Sequence, residues 1–154
     1  MTRREWGKRQ GMSEISEILE EKGTEVFTID GEASVLDAVA RMVEENVGSL
    51  LVTEAGEIAG IVTERDYLRR VTLPGLDDRE TPVREIMTAP LIVVTPDTAV
   101  DECMALMTDR RIRHLPVAVG GEVVGLVSIG DLVKFTSRQQ TFEIEYLTHY
   151  ITAG

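Results

Sequence analysis

The sequence predicts a mixed α/β fold of the α+β kind, in which two pseudo-symmetric β-α-β-β-α repeats form one compact module followed by a C-terminal helix. Three observations carry this. The pattern glycine, two apolar residues, a hydroxyl, two variable residues, aspartate occurs at Gly60-Ile61-Val62-Thr63-Glu64-Arg65-Asp66 and returns 65 residues later at Gly125-Leu126-Val127-Ser128-Ile129-Gly130-Asp131. The same 65-residue offset, with no gap from Val26 to Leu68, lays Val35 on Val100, Ala40 on Ala105, Met42 on Met107, Leu50 on Leu115, Val52 on Val117 and Gly56-Glu57 on Gly121-Glu122. Upstream the offset becomes 68, with Ile15-Ser16-Glu17-Ile18-Leu19 falling on Val83-Arg84-Glu85-Ile86-Met87, so the first copy holds three extra residues near Glu20 to Thr24.

The expected organisation is an N-terminal arm (1–12), a first repeat (13–72), a linker (73–82), a second repeat (83–137) and a C-terminal helix (138–154). The arm carries Arg3, Arg4, Lys8, Arg9 and a lone Trp6 without periodicity and reads as flexible. Each repeat opens with a short β-rich run, Val26 to Ile29 and Leu91 to Val94, that turns at Asp30-Gly31 or Thr95-Pro96 into an amphipathic helix. Ser34 stands three residues before Asp37 and Thr98 three before Asp101, the spacing of a capping box. The expected inner faces are Val35, Val39, Met42 and Val43, then Val100, Met104 and Met107. Next come two hairpins, Ser49 to Thr53 with Glu57 to Val62 and His114 to Val119 with Glu122 to Val127, turning at Ala55-Gly56 and Gly120-Gly121. A second helix follows each hydroxyl-to-aspartate segment. Leu73 to Pro82 is polar and rich in breakers, hence a surface linker. Phe142, Tyr146, Leu147, Tyr150 and Ile151 make an apolar stripe on the tail helix, suited to packing on the module or across a dimer.

A formal charge of −11 argues against nucleic-acid or anionic-membrane binding, which need a basic footprint. No apolar run reaches the roughly 18 residues of a membrane span, and Met1 to Gln10 lacks the apolar segment of a secretory signal. A cytoplasmic location is expected. Cys103, the one cysteine, permits no intramolecular disulfide and overlays Ala38 as a small core residue. His114 and His149 have no partners at metal-ligand spacing, and no metal site is expected.

The repeated motif has two readings. Thr63 and Asp66 can simply cap a helix. Yet a hydroxyl ending a strand and opening a helix is also a natural phosphate site, and an aspartate one turn later can accept hydrogen bonds from a ribose diol. Phosphate and ribose side by side point to a nucleotide.

In this context the chain resembles the tandem cystathionine-β-synthase (CBS) domain pair, or Bateman module, over Ile15 to about Thr136. The carriers of the resemblance are the paired Gly-x-x-(Thr/Ser)-x-x-Asp motifs, Thr63-Glu64-Arg65-Asp66-Tyr67 and Arg113-His114-Leu115-Pro116-Val117. It implies two clefts between the halves that bind AMP, ADP, ATP or related adenosyl ligands. Carried over, Asp66 and Asp131 hold the riboses, and Thr63 and Ser128 bond phosphate oxygens. The opening segment of the opposite repeat reads the base: Thr24 to Val26 for the site at Asp131, Ala89 to Leu91 for the site at Asp66. The copies differ where Gly48-Ser49 faces Arg113-His114 and where Arg65 faces Gly130. Arg65, Arg113 and His114 are therefore candidate phosphate contacts, and Gly48 and Ser49 candidate cleft wall. The alternatives are a solvated charge for Arg65 and a packed strand-edge histidine for His114.

The leading expectation is a non-catalytic sensor that binds adenine nucleotides, forms a homodimer and signals occupancy to an effector protein. A scaffold with empty clefts, or one binding NAD or S-adenosylmethionine, is the first rival; Arg65 and Arg113 favour a phosphorylated ligand. An enzyme acting on nucleotides is disfavoured because no nucleophile–base pair, Walker-type loop or metal-ligand cluster is present.

Overall fold

The computed structural model describes residues 13–138; the expected arm (1–12) and residues 139–154 of the expected C-terminal helix lie outside the described residues. In chain order the elements are α1 (Ile15–Lys22), β1 (Thr28–Asp30), α2 (Val35–Glu45), β2 (Ser49–Glu54), β3 (Glu57–Thr63), and α3 (Glu64–Tyr67) continued by a π-helical turn (Leu68–Thr72). A 3-10 turn (Val83–Glu85), α4 (Val100–Arg110), β4 (His114–Val119), β5 (Glu122–Ser128) and a helix, α5, over 129–138 complete them. The chain divides into two units: a contiguous one, Glu25–Ile92, and a composite one, Met1–Thr24 with Val93–Gly154.

In the contiguous unit β1 runs parallel to β2, and β2 antiparallel to β3, from Ser49 opposite Thr63 to Glu54 opposite Glu57. Val35, Ala38 and Met42 of α2 pack with Leu50, Val52, Val62, Val71, Val83 and Ile86. Each of the valine, leucine, isoleucine and methionine side chains among them contributes roughly 1.5 to 3 kcal/mol when removed from water. The buried line of α2 is 35, 38 and 42; Val43, expected inside, is 76% exposed because it lies about 100° around the helix from Met42. Ser34 caps α2 as expected, its Oγ accepting from the Asp37 N–H at 3.1 Å.

The composite unit repeats this plan around β4 and β5, paired antiparallel from His114 opposite Ser128 to Val119 opposite Glu122. Both hairpins turn through two residues of positive φ, Ala55 and Gly56 at 52° and 80°, Gly120 and Gly121 at 58° and 84°, the handedness that matches strand twist. Both carry a register shift at the same place, Val52/Thr53 and Val117/Ala118. Val100, Cys103 and Met107 of α4 are buried and Met104 sits at the core's edge, so the inner face runs through Cys103.

Two expectations fail here for definable reasons. Thr98 does not cap α4: by the 65-residue register the N-cap is Ala99, which has no side-chain oxygen, and the Thr98 hydroxyl instead accepts from the Thr95 N–H at 3.0 Å. The run Leu91 to Val94 forms no strand and keeps a single parallel bridge, Val94 to Val117. Its partner strand holds Pro116, which has no N–H to donate to a neighbouring strand.

The opening segments are exchanged. α1 buries Ile15, Ile18 and Leu19 among Val100, Cys103, Leu115, Val127 and Leu132 of the second sequence repeat, tied by Ile15 N–H to Thr98 O (2.9 Å) and Ser16 N–H to Pro96 O (2.8 Å). The matching segment of the second sequence repeat sits in the contiguous unit, where Val83 N–H reaches Ala33 O (2.8 Å) and Arg84 N–H reaches Gly31 O (2.9 Å). These are the same bonds one repeat apart. Exchange brings Thr88 to Asp66 and Lys22 to Asp131.

Candidate functional site

Each motif begins at a glycine whose missing Cβ is occupied by the exchanged segment. A Cβ on Gly60 would stand 2.7 Å from the Thr88 carbonyl oxygen and 2.8 Å from the Met87 sulfur, because Ile61 and Thr88 exchange backbone bonds at 3.0 and 2.8 Å. On Gly125 it would meet Leu19 Cδ2 at 2.9 Å. The glycines thus admit the chain's own opening segments.

At the first motif, Thr63 N–H and Oγ1–H both reach Asp66 Oδ2, at 3.0 and 3.1 Å, and Thr63 Oγ1 accepts the Asp66 N–H at 3.2 Å. This is a complete capping box. The other carboxylate oxygen, Oδ1, accepts from the Thr88 hydroxyl at 3.4 Å and has Arg70 Nε at 3.9 Å. Glu64 N–H is held by the Gly48 carbonyl at 3.1 Å. Asp66 is 9% exposed. Ser49, opposite Thr63 across the strands, has a buried hydroxyl with no hydrogen-bond partner among the described residues.

The second motif has the same skeleton and a different charge. Ser128 N–H reaches Asp131 Oδ2 at 2.8 Å, Asp131 N–H reaches Ser128 Oγ at 3.1 Å, and Ile129 N–H is held by the Arg113 carbonyl at 2.8 Å. The Lys22 ammonium donates to Asp131 Oδ2 at 2.6 Å and to the Leu126 carbonyl at 2.7 Å. Burial alone raises the Asp131 pKa, but the Lys22 and Ser128 hydrogen bonds and the lysine charge hold it below the ordinary aspartate value. The Asp131 side chain is 23% exposed, about twice the 12% of Asp66. Beside them, His114 stands opposite Ser128. Burial, then the positive charge of Lys22, pushes its pKa down to about 4, partly countered by Asp131. It is therefore a neutral imidazole near pH 7.

The structure thus gathers Gly48, Ser49, Thr63 and Asp66 in one unit and Arg113, His114, Ser128 and Asp131 in the other. The Arg65 side chain makes no hydrogen bond or ion pair with the described residues. Ala89 and Leu91 follow Thr88 directly, Ala89 exposed and Leu91 partly covered; Thr24 is exposed and Val26 partly covered. Sequence reasoning missed Lys22, Thr88 and Arg70. The offset of 68, which places α1 opposite Val83 to Met87, was the signal available for Thr88 and Lys22, since both follow those segments.

Residues 15–72 and 83–138 each match the CBS domain family. The chain is a tandem CBS domain protein. The CBS domain-containing protein CBSX3, mitochondrial, of Arabidopsis thaliana is 42% identical over 152 residues, covering 91% of this chain and 72% of the relative. A CBS-domain structure from Burkholderia ambifaria superposes with a TM-score of 0.80 at 46% identity, covering 83% of this chain and 96% of that chain. A more distant CBS domain pair, solved with 5′-methylthioadenosine and S-adenosylmethionine, shares the fold at a TM-score of 0.71 and 23% identity, covering 83% of this chain and 98% of its own. None of these names is that of an enzyme. Among the described residues, no helix of the CBS pair is long and apolar enough to cross a membrane.

Proposed function

We propose that this CBS pair is a non-catalytic regulatory module that binds an adenine nucleotide, AMP, ADP or ATP, and signals occupancy to an effector protein. The observation that carries the reading is the second motif: a hydroxyl at a strand end, a carboxylate one turn later, and a lysine ammonium on that carboxylate. A ribose diol donates hydrogen bonds that a carboxylate accepts, and a phosphate accepts those that a hydroxyl and an ammonium donate. Both hydrogen bonds given to Asp131 fall on Oδ2, so Oδ1 has room for one ribose hydroxyl, while the second hydroxyl of the diol competes with Lys22 at Oδ2. Arg113 and neutral His114 add donors on the same strand end.

The Asp66 motif supports a second reading at that position. Both of its carboxylate oxygens already accept hydrogen bonds within the protein, and a motif engaged in this way serves as a structural cap, as the scaffold alternative requires. Asp131 is therefore the working site of the proposal and Asp66 a weaker or structural one. One solved CBS pair that holds adenosyl compounds supports the ligand class, while the cationic surroundings of Asp131 favour a phosphorylated member over S-adenosylmethionine. NAD, which carries phosphates, stays within the alternative.

Signalling follows if the ligand binds one arrangement of the protein more tightly than another; it shifts the balance by that difference in affinity. A homodimer in the cytoplasm, acting on a separate effector protein, completes the proposal. Isothermal titration of nucleotide-free protein with AMP, ATP, NAD and S-adenosylmethionine tests it, repeated on Asp66→Ala and Asp131→Ala. Saturable nucleotide binding lost in Asp131→Ala is the expected result. No binding by any of the four ligands would move the protein to the scaffold reading.

A further inference from the structure

Lys22 occupies the carboxylate that a ribose would need. Its ammonium makes two bonds at once, to Asp131 Oδ2 at 2.6 Å and to the Leu126 carbonyl at 2.7 Å, and its side chain is only one-third exposed. A cavity of about 330 Å³ opens beside this pair, its wall including Lys134 and Phe135 of α5. Lys134 has no ion pair among the described residues, while Arg138, on the same wall, is already neutralised by Glu21 at 2.8 Å. In a chain of net charge −11, the lining of this small cavity thus sets three cations, Lys22, Lys134 and Arg138, against two carboxylates, Asp131 and Glu21. The other motif differs: no residue from Met87 to Leu91, the counterpart of the Lys22 segment, is basic, and the cation near Asp66 is Arg70 of the motif's own helix, at 3.9 Å and without a hydrogen bond to the carboxylate.

We infer that Lys22 is a charge gate on the Asp131 site, holding the carboxylate closed to uncharged nucleosides and yielding it to ligands with a phosphate beside the ribose. A ribose that takes Asp131 displaces the ammonium from its counter-charge. With a nucleoside the ammonium is left partly desolvated and unpaired, a cost that offsets the ribose hydrogen bonds. With a nucleotide it turns to the phosphate, a charge-assisted partner at least as good as the one it lost, and Lys134 adds to the same field. Lys22 therefore selects by ligand charge rather than by base. This rests on the nucleotide reading of Asp131 and assigns that site its specificity determinant.

The test compares AMP and adenosine titrated into the full-length protein, counting the binding component that Asp131→Ala removes. In Lys22→Met, AMP weakens while adenosine tightens or holds, so the AMP preference falls about tenfold or more, equivalent to about 1.4 kcal/mol. Lys22→Arg keeps the charge and retains most of the preference. A measurement on the unaltered protein needs no folded variant: inorganic phosphate strengthens adenosine binding, because it supplies the partner that the displaced ammonium lacks. Equal changes for AMP and adenosine in Lys22→Met would overturn the gate alone, as would adenosine binding left unchanged or weakened by phosphate. Absence of any Asp131-dependent binding of either compound would overturn the nucleotide reading, and the gate with it.

Discussion

Leu51 and Pro116 occupy the same position in the two repeats, and the Leu51 N–H donates to the Phe27 carbonyl at 3.0 Å where Pro116 has nothing to donate. With Pro96, which stands where Gly31 N–H reaches Thr53 O at 2.8 Å, the missing donor accompanies a three-residue parallel strand in one unit and a lone bridge at Val94 in the other. Pro116→Ala restores the donor. We expect a slowly exchanging amide at position 116 and a change in stability of under about 1 kcal/mol, since the regained hydrogen bond is offset by the freer unfolded chain. Hydrogen exchange checks it; an amide at 116 exchanging as fast as a solvent-exposed one would mean that the proline is not the cause.

Asn46 and Arg111 end α2 and α4 in the left-handed region, both at φ 55°. Asparagine is tolerated there better than arginine, and glycine best. Arg111→Gly is expected to raise stability by about 0.5 to 1 kcal/mol, seen as a higher denaturation midpoint with an unchanged slope. A fall in the midpoint would show that the arginine side chain holds the helix end.

The duplication made most of this architecture legible, because an offset constant over Val26 to Leu68 transfers the first helix, both hairpin strands, their turn and the motif cap from one copy to the other, though not β1 or the Ser34 cap. The same rule exposes the misreadings. That register places Ala99, not Thr98, opposite Ser34, and it gives Val43 the polar counterpart Thr108, which marks the position as an outer one. The motif carboxylates and hydroxyls were legible because their partners lie three residues away. Lys22 was not, because Asp131 is 109 residues distant and the pair forms only after α1 joins the composite unit. Thr88 reaches Asp66 by the same exchange.

The two motif glycines predict unequal costs for one substitution. In Gly60→Ala the new methyl meets the Thr88 carbonyl, which is fixed by the bonds to Ile61. In Gly125→Ala it meets the end of the Leu19 side chain, which can rotate. Overpacking costs about 1 to 3 kcal/mol; Gly60→Ala should fall at the upper end and Gly125→Ala at the lower. Urea denaturation of both variants measures the difference, and equal losses would contradict a backbone obstacle at Gly60.

Ser49 presents a buried hydroxyl without a partner, at the position that carries His114 in the second repeat. Removing it leaves no donor behind, so Ser49→Ala should be neutral or stabilise by up to about 1 kcal/mol. Ligand affinity should not change, because the atom is covered. A loss of nucleotide affinity in this variant would instead return Ser49 to the cleft wall.

His114 makes stability depend on pH in a definite direction. Its folded pKa, near 4, lies below the ordinary value of 6.5, so between those values the unfolded chain binds the proton that the folded chain refuses. Stability contributed by the neutral imidazole is complete above about pH 6.5 and drains away as the pH falls toward 4. Asp131, also depressed, adds a second loss only at lower pH, as its carboxylate is protonated and the Lys22 ion pair breaks. The loss from His114 is on the order of 1 to 3 kcal/mol. Chemical denaturation at pH 7, 6, 5 and 4.5 should therefore show a steady decline in the parent that is much flatter in His114→Gln. Parallel declines in both proteins would place the acid sensitivity elsewhere, in the carboxylates alone.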